Sequence, residues 1–381
     1  MKTYQLIWED GDSWESYDDA VEVTPQLVLF FGSTARLEGE EYFKQLKDKY
    51  PQAQLIGCTT AGEIIGDEVL EDSIVATAVE FEKTEISTAS ILISDTEGSH
   101  DAGMQLGRRI QNDRLKSVLV ISDGGSVNGS ELVGGLTEVL GQDIIITGGL
   151  AGDGGRFEKT MVSYNDSPEQ GRIVVIGFEG DAVQIGHGSV GGWDAFGPER
   201  KITRSEANVL YELDGKPALE LYKGYLGEKA DELPGSALLF PLMIRPQGQE
   251  EMGTVRTILS VNEEDQSMTF AGDVPEGYQA QLMMANFDRL VEGASEAAKF
   301  ALSKEEEELE GDTLAILISC VGRKMVLGQR TADEVESVMD ILVGAKQIGF
   351  YSYGEISPHV EVGNCQLHNQ TMTVTSISEK V

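Results

Sequence analysis

The sequence predicts a mixed α/β (α+β) chain in two domains, each a mixed β-sheet flanked by helices. Three observations predict it. Short continuous apolar runs, such as Leu27-Val-Leu-Phe-Phe31 and Val118-Leu-Val-Ile121, have the length of buried strands and end at glycine or small polar residues. Stripes recurring at three and four residues, such as Tyr42, Phe43, Leu46 and Tyr50, mark helices between them. Finally, 381 residues exceed what one core ordinarily holds.

In order, residues 53–56 form a strand running into Gly57-Cys-Thr-Thr60, and 74–81 with 85–93 read as a hairpin. Ala102, Leu106 and Ile110 mark a helix before the strand 118–121, which ends at Ser122-Asp-Gly-Gly125. Leu132, Leu136, Val139 and Leu140 mark the next helix, and Ile144-Ile-Ile146 leads to Thr147-Gly-Gly149. This alternation favours right-handed βαβ units. Residues 156–162 and 173–188 read as antiparallel strands. The stretch 191–200, with Pro198 and its glycines, is a candidate boundary, giving a lead-in 1–25 and domains 26–200 and 201–381.

In the second domain Pro217 suits the first turn of a helix. Residues 237–244 form a strand that Pro241 sends to an edge, and 254–261 with 267–271 make a hairpin. Residues 279–302 read as the longest helix, with Met283, Phe287, Leu290 and Ala294 facing inward. The five glutamates within 304–311 suit a solvated loop. Strand 314–319 follows, then a helix opened by Thr331 and Glu334 at capping-box spacing, and strands 347–353 and 366–377. No fixed-period repeat is evident.

Lys+Arg 29 against Asp+Glu 65 gives a net charge of −36. Such a chain lacks the basic face that nucleic-acid binding needs and is repelled by anionic membranes. Cys58, Cys320 and Cys365 show no Cys-x-x-Cys spacing, which argues against a disulfide framework or structural zinc. No apolar leader and no apolar run of about 20 residues is visible. A reduced, soluble, cytoplasmic protein is expected.

Three strands end in small polar clusters, Cys58-Thr59-Thr60, Ser122-Asp123-Gly124 and Thr147-Gly148-Gly149; parallel strands would bring them to one sheet edge, where α/β folds bind ligands. Ordinary turn chemistry is the plainer reading of any one of them. Gly186-His-Gly-Ser-Val-Gly191 satisfies G-x-G-x-x-G but lacks the following helix, so a dinucleotide site is rejected. Cys365 and His368, three apart on a strand, point to opposite faces and could chelate one ion only across a bulge or turn. Glu63 and Glu355 each follow a glycine and could orient a ligand amine. Arg323 could fork onto a ligand carboxylate. Toward the C-terminus Tyr351, Tyr353, His368 and Asn369 combine apolar bodies with polar tips, the lining of a concave site.

Tyr351-Ser-Tyr-Gly-Glu-Ile356, Leu367-His-Asn-Gln-Thr371, Ile56-Gly-Cys-Thr-Thr-Ala-Gly-Glu-Ile64, Gly191-Gly-Trp193 leading through Val209-Leu-Tyr-Glu-Leu-Asp-Gly-Lys-Pro-Ala218, and Ser319-Cys-Val-Gly-Arg323 together resemble the FIST family of bacterial sensory proteins. The resemblance implies a FIST N and a FIST C domain and a small ligand such as an amino acid. It also implies a signalling partner such as a histidine kinase or a diguanylate-type enzyme. Some stand-alone members resemble haem-binding nitric oxide sensors, so non-covalent haem held by His187 or His368 is an alternative, beside a hydrolase using Cys58. The expected site lies between the domains. Cys58, Thr59, Thr60 and Glu63, with Ser122 and Asp123, face Arg323, Tyr351, Tyr353, Glu355, His368 and Asn369. No catalytic residue is expected.

Overall fold

The computed structural model describes residues 1–9, 13–19, 21–233, 235–249, 253–302, 312–359 and 363–380. The glutamate-rich loop expected at 304–311 lies outside them. Among the described residues the strands form three six-stranded sheets and one of eight.

The three six-stranded sheets repeat one plan. In the first, Leu27–Gly32 and Gln54–Thr59 are parallel neighbours, with helix Glu41–Lys49 between them in sequence. Ile74–Glu80 and then Lys2–Trp8 add antiparallel strands. In the second, Leu115–Ser122 and Ile145–Leu150 are the parallel pair, extended by Arg172–Glu179 and Glu85–Leu92. In the third, Leu314–Cys320 and Lys346–Ser352 are parallel, extended by Met372–Glu379 and Val183–Val190. Each unit is a βαβ crossover with two antiparallel strands laid on its first strand.

After each second parallel strand the chain leaves its own sheet for a neighbour. Glu63–Ile65 crosses from the first sheet to pair with Lys346–Ser352. Gly354–Pro358 crosses from the third to pair with Ile145–Leu150. Val162–Tyr164 crosses from the second to pair with Gln54–Thr59. This closed exchange ties the sheets in a ring. Their inner faces share one core, in which Phe31 meets Phe350 at 4.7 Å between ring centroids and Phe81 meets Phe178 at 6.0 Å. Helices cover the outer faces, where Tyr42 and Leu46 pack on the first sheet.

Residues 193–285 hold the eight-stranded sheet, which has its own core around Leu219, Tyr222, Leu242 and Phe270. It is inserted between Val183–Val190 and helix Phe287–Ala301 of the third unit. The candidate boundary at 191–200 falls where strand Trp193–Glu206 carries the chain into this sheet.

Several expectations are corrected. Strands Ile74–Glu80 and Glu85–Leu92 are not a hairpin, because the first returns to sheet one and the second opens sheet two. Residues 279–302 are not one helix. Gln279–Ala285 is a strand held on both sides, and Asn286 caps the helix from Phe287 by accepting the Arg289 N–H. The lead-in contains Lys2–Trp8, whose alternating Tyr4, Leu6 and Trp8 bury one face. Thr331 and Glu334 form no capping box. Thr331 Oγ1 bonds to the Gly328 carbonyl, and Glu334 is buried against Arg323. Gly186-x-Gly lies within strand Val183–Val190 and is followed by strand Trp193–Glu206, not by the helix that a dinucleotide site needs.

Candidate functional site

The crossover points of the three units meet. Ala61 N–H donates to the Tyr351 carbonyl at 2.8 Å, Gly152 N–H to Thr59 at 3.0 Å, and Tyr353 N–H to Leu150 at 3.1 Å. A sequence pattern follows this geometry: Ile56-Gly-Cys-Thr-Thr-Ala-Gly-Glu63, Ile146-Thr-Gly-Gly-Leu-Ala-Gly-Asp153 and Ile348-Gly-Phe-Tyr-Ser-Tyr-Gly-Glu355. In each, a second parallel strand is followed within four residues by glycine and an acid.

The three acids have distinct surroundings. Glu63 accepts from the Thr60 hydroxyl and from Ser73, through Oγ at 2.8 Å and N–H at 3.3 Å. Glu355 repeats this with Ser352 Oγ at 2.6 Å and Thr371, through Oγ at 3.0 Å and N–H at 3.2 Å. Burial raises Glu63 to about 7 and Glu355 to about 8, against the lowering by those donors. Asp153 differs. Burial pushes it upward, but Tyr353 Oη–H and the N–H groups of Phe157, Glu158 and Lys159 outweigh that and hold it below the usual range.

Beside Glu63 opens a cleft of about 710 Å³, within the size range of small-molecule sites. Thr60, Ala61, Gly62 and Glu63 form its floor. Ser33, Thr34 and Glu38 of the first unit and Val321, Lys324, Met325 and Thr331 of the third also line it. Gly154, Gly155 and Arg156 close a third side, with Glu71 and Asp72 at the rim. Lys324 is drawn across this cleft. Its Nζ donates to the Ala61 carbonyl at 2.8 Å, pairs with Glu71 at 2.8 Å and sits 5.6 Å from the Tyr351 ring centroid. Thr34 Oγ1 is buried without a hydrogen-bond partner, an unmet polar group of the kind a ligand satisfies.

Of the residues proposed from sequence, Thr60 and Glu63 line the cleft. Tyr351 lies behind Lys324, and Tyr353 stacks under Phe157 at 4.4 Å while its hydroxyl bonds to Asp153. Cys58 is in the central core, where burial pushes its thiol well up. Thr59 Oγ1 accepts from Met161 N–H at 2.9 Å, and the Ser122 hydroxyl donates to the Asp123 carbonyl at 3.1 Å. Asp123 is occupied by Gly125, Ser126 and Thr160.

Arg323 does not face a ligand. It is 0% exposed and engaged by Glu334 and by the carbonyls of Gly191 and Leu290. Glu355, Asn369 and His368 also lie away from the cleft. Glu355 is enclosed, and both amide atoms of Asn369 are buried without partners. His368 Nε2 bonds to the Ser357 carbonyl at 3.0 Å, and burial lowers the ring to about 4. His187 Nδ1 is buried and unpartnered, and neither histidine lines the cleft. With the His368 imidazole engaged by a carbonyl and neither ring lining the cleft, these residues offer no axial ligand to a haem in the cleft. Among the described residues, no group of three or more His, Cys, Asp or Glu side chains could hold a metal ion.

The FIST N domain model matches residues 26–216 and the FIST C domain model residues 218–358. This chain belongs to the FIST family. FIST domains are sensory, so the protein's broad role is signal transduction with small-ligand binding. The cleft draws on both matched regions, with 33–156 from FIST N and 321–331 from FIST C. An uncharacterized protein of Methanocaldococcus jannaschii is 25% identical over 380 residues, covering 89% of this chain and 68% of that protein. The crystal structure of cyanuric acid hydrolase from A. caulinodans aligns over 78% of this chain and 100% of its own, at 12% identity and a TM-score of 0.19, too low to bear on fold or activity. Among the described residues no helix is long and apolar enough to cross a membrane.

Proposed function

We propose that this FIST protein senses a small zwitterion of the amino-acid class, bound in the Glu63–Lys324 cleft, and signals to a protein partner such as a histidine kinase. The observation carrying this reading is the opposition of charge across one cleft. Asp72 offers a carboxylate to an ammonium group beside the buried Glu63, while Lys324 and Arg156 offer cations to a carboxylate. Between them the free Thr34 hydroxyl supplies a neutral hydrogen bond.

A sensor needs the ligand to prefer one arrangement of its parts. Helix Val321–Leu327 provides a link for that. Lys324 and Met325 line the cleft, whereas Val326 and Leu327 pack with Trp193, Met283 and Leu290 at the root of the inserted sheet. A ligand drawing Lys324 away from Glu71 would shift the helix that supports this sheet.

The test is calorimetric titration of the full chain with a panel of amino acids. The reading expects saturable binding that Lys324→Met weakens at least tenfold and Thr34→Val weakens about fivefold. Absence of binding across the panel, or equal binding by both variants, would sink it.

A further inference from the structure

A second cavity, sharing no lining residue with the first, lies where the inserted sheet meets the second and third units. It measures about 220 Å³ and is lined by Ser130 and Val133 of helix Gly129–Leu140, Thr254, Arg256 and Tyr278 of the insert, and Gln366 near the chain end, among others. Arg256 decides its chemistry. The side chain is 7% exposed, and Nε donates to the Asp273 carbonyl and Nη1 to the Leu367 carbonyl, each at 3.0 Å.

A guanidinium carries five N–H donors. Those two bonds leave three, including the end-on pair shared by Nη1 and Nη2. Among the described residues no carboxylate comes within salt-bridge distance of Arg256. The nearby Asp273 carboxylate accepts instead from Asn128 Nδ2 at 3.3 Å. Burial lowers Arg256 only to about 10, so the group stays charged at neutral pH. The Asp273 charge favours the cation without touching it, so among the described residues Arg256 is buried with no carboxylate in direct contact, which is costly.

The lining holds one acid, Asp273, beside the hydroxyl groups of Ser130, Thr254 and Tyr278, which suit an anion. Among the described residues Ser130 Oγ is buried with no partner, and Tyr278 lines the same space. Thr254 Oγ1 bonds to Gln366 Oε1 at 3.2 Å, which keeps that amide oxygen from opposing an anion. The volume is below the roughly 300 Å³ at which drug-sized sites begin, so the occupant is compact.

We propose that this cavity is a second ligand site, for a small carboxylate held end-on by Arg256 and hydrogen-bonded by Ser130 and Tyr278. Because the lining comes from both the insert and helix Gly129–Leu140, an occupant would brace the inserted sheet against the body. The site is independent of the reading given to the Glu63 cleft.

The test follows the unfolding temperature of the full chain against acetate, glycolate, phosphate and chloride at constant ionic strength. Acetate and glycolate should raise it saturably. Ser130→Ala should weaken the apparent affinity roughly fivefold, and Arg256→Gln should remove the response. Arg256 also ties two carbonyls, so if that variant does not fold, Ser130→Ala and Tyr278→Phe carry the decision. An equal response to chloride, a response to phosphate alone, or carboxylate responses unchanged in Ser130→Ala and Tyr278→Phe would overturn the proposal. Loss of the response in Lys324→Met with retention in Ser130→Ala would place the carboxylate in the first cleft and equally overturn it.

Discussion

Arg323 and Glu334 pair at 2.8 Å with both side chains fully removed from solvent. The carboxylate also takes the Ser319 hydroxyl at 3.0 Å and the Tyr351 hydroxyl at 2.7 Å, so one acid ties the third unit's parallel strands to the helix between them. Removing one partner leaves the other buried and uncompensated. Arg323→Ala or Glu334→Ala should cost about 3–5 kcal/mol in denaturant unfolding. Replacing both by apolar residues of similar volume should recover much of that loss. A double variant as unstable as the sum of the singles would contradict this account.

Glu63 and Glu355 make stability depend on pH in an unusual direction. Both fold with raised values, about 7 and about 8. Between roughly pH 4.5 and those values the folded chain keeps protons that the unfolded chain has released. Their contribution is complete below that window and is lost as pH rises through it. Asp153 and Glu379, both held low, act oppositely and lose their contribution as pH falls, Glu379 as it nears about 2. Glu63→Gln should therefore gain on the natural protein by about 1–3 kcal/mol between pH 5 and pH 8. A difference that stays flat with pH would show that Glu63 titrates normally.

Gly62 holds the cleft floor where only glycine fits. Its φ is +142°, and a Cβ there would lie 2.5 Å from Lys324 Nζ. Gly62→Ala should cost about 1–3 kcal/mol through backbone strain and push the ammonium group off the Ala61 carbonyl. Ligand affinity should fall with it. A variant that loses stability but binds as before would detach Lys324 from the site.

Much of the framework was legible from the residues. Leu27–Gly32, Leu115–Ser122 and Leu314–Cys320 are buried on both faces, so their apolar runs stand out. The ring of sheets was not legible, because strand exchange between units is a long-range matter that no local pattern encodes. Its trace was the thrice-used Gly-Glu or Gly-Asp ending, with the third copy displaced by the inserted sheet. Thr60 and Glu63, which line the cleft, stand out in the sequence because their glycine turn is visible. Lys324 lines the cleft where Arg323 was expected, for a geometric reason: adjacent helical residues point about 100° apart, so sequence does not tell which of the two faces outward. The split of 279–302 was hidden because Met283 and Leu290 fit a helical stripe, while Asn286, the cap, is a single residue.

Tyr353 tests whether the third side of the cleft is held in place by one phenol. Its ring stacks on Phe157, and its hydroxyl bonds to Asp153 and to the Gly154 carbonyl at 3.1 Å while accepting the Phe157 N–H at 3.1 Å. Tyr353→Phe keeps the stacking and removes only these bonds. Asp153 retains three backbone donors, so the global loss should be about 1–2 kcal/mol. The local effect should be larger, with amide exchange at residues 154–157 at least tenfold faster and weaker ligand binding, because Arg156 rides on this loop. Exchange at 154–157 that rises no more than in the core strands would mean that Asp153 alone fixes the loop.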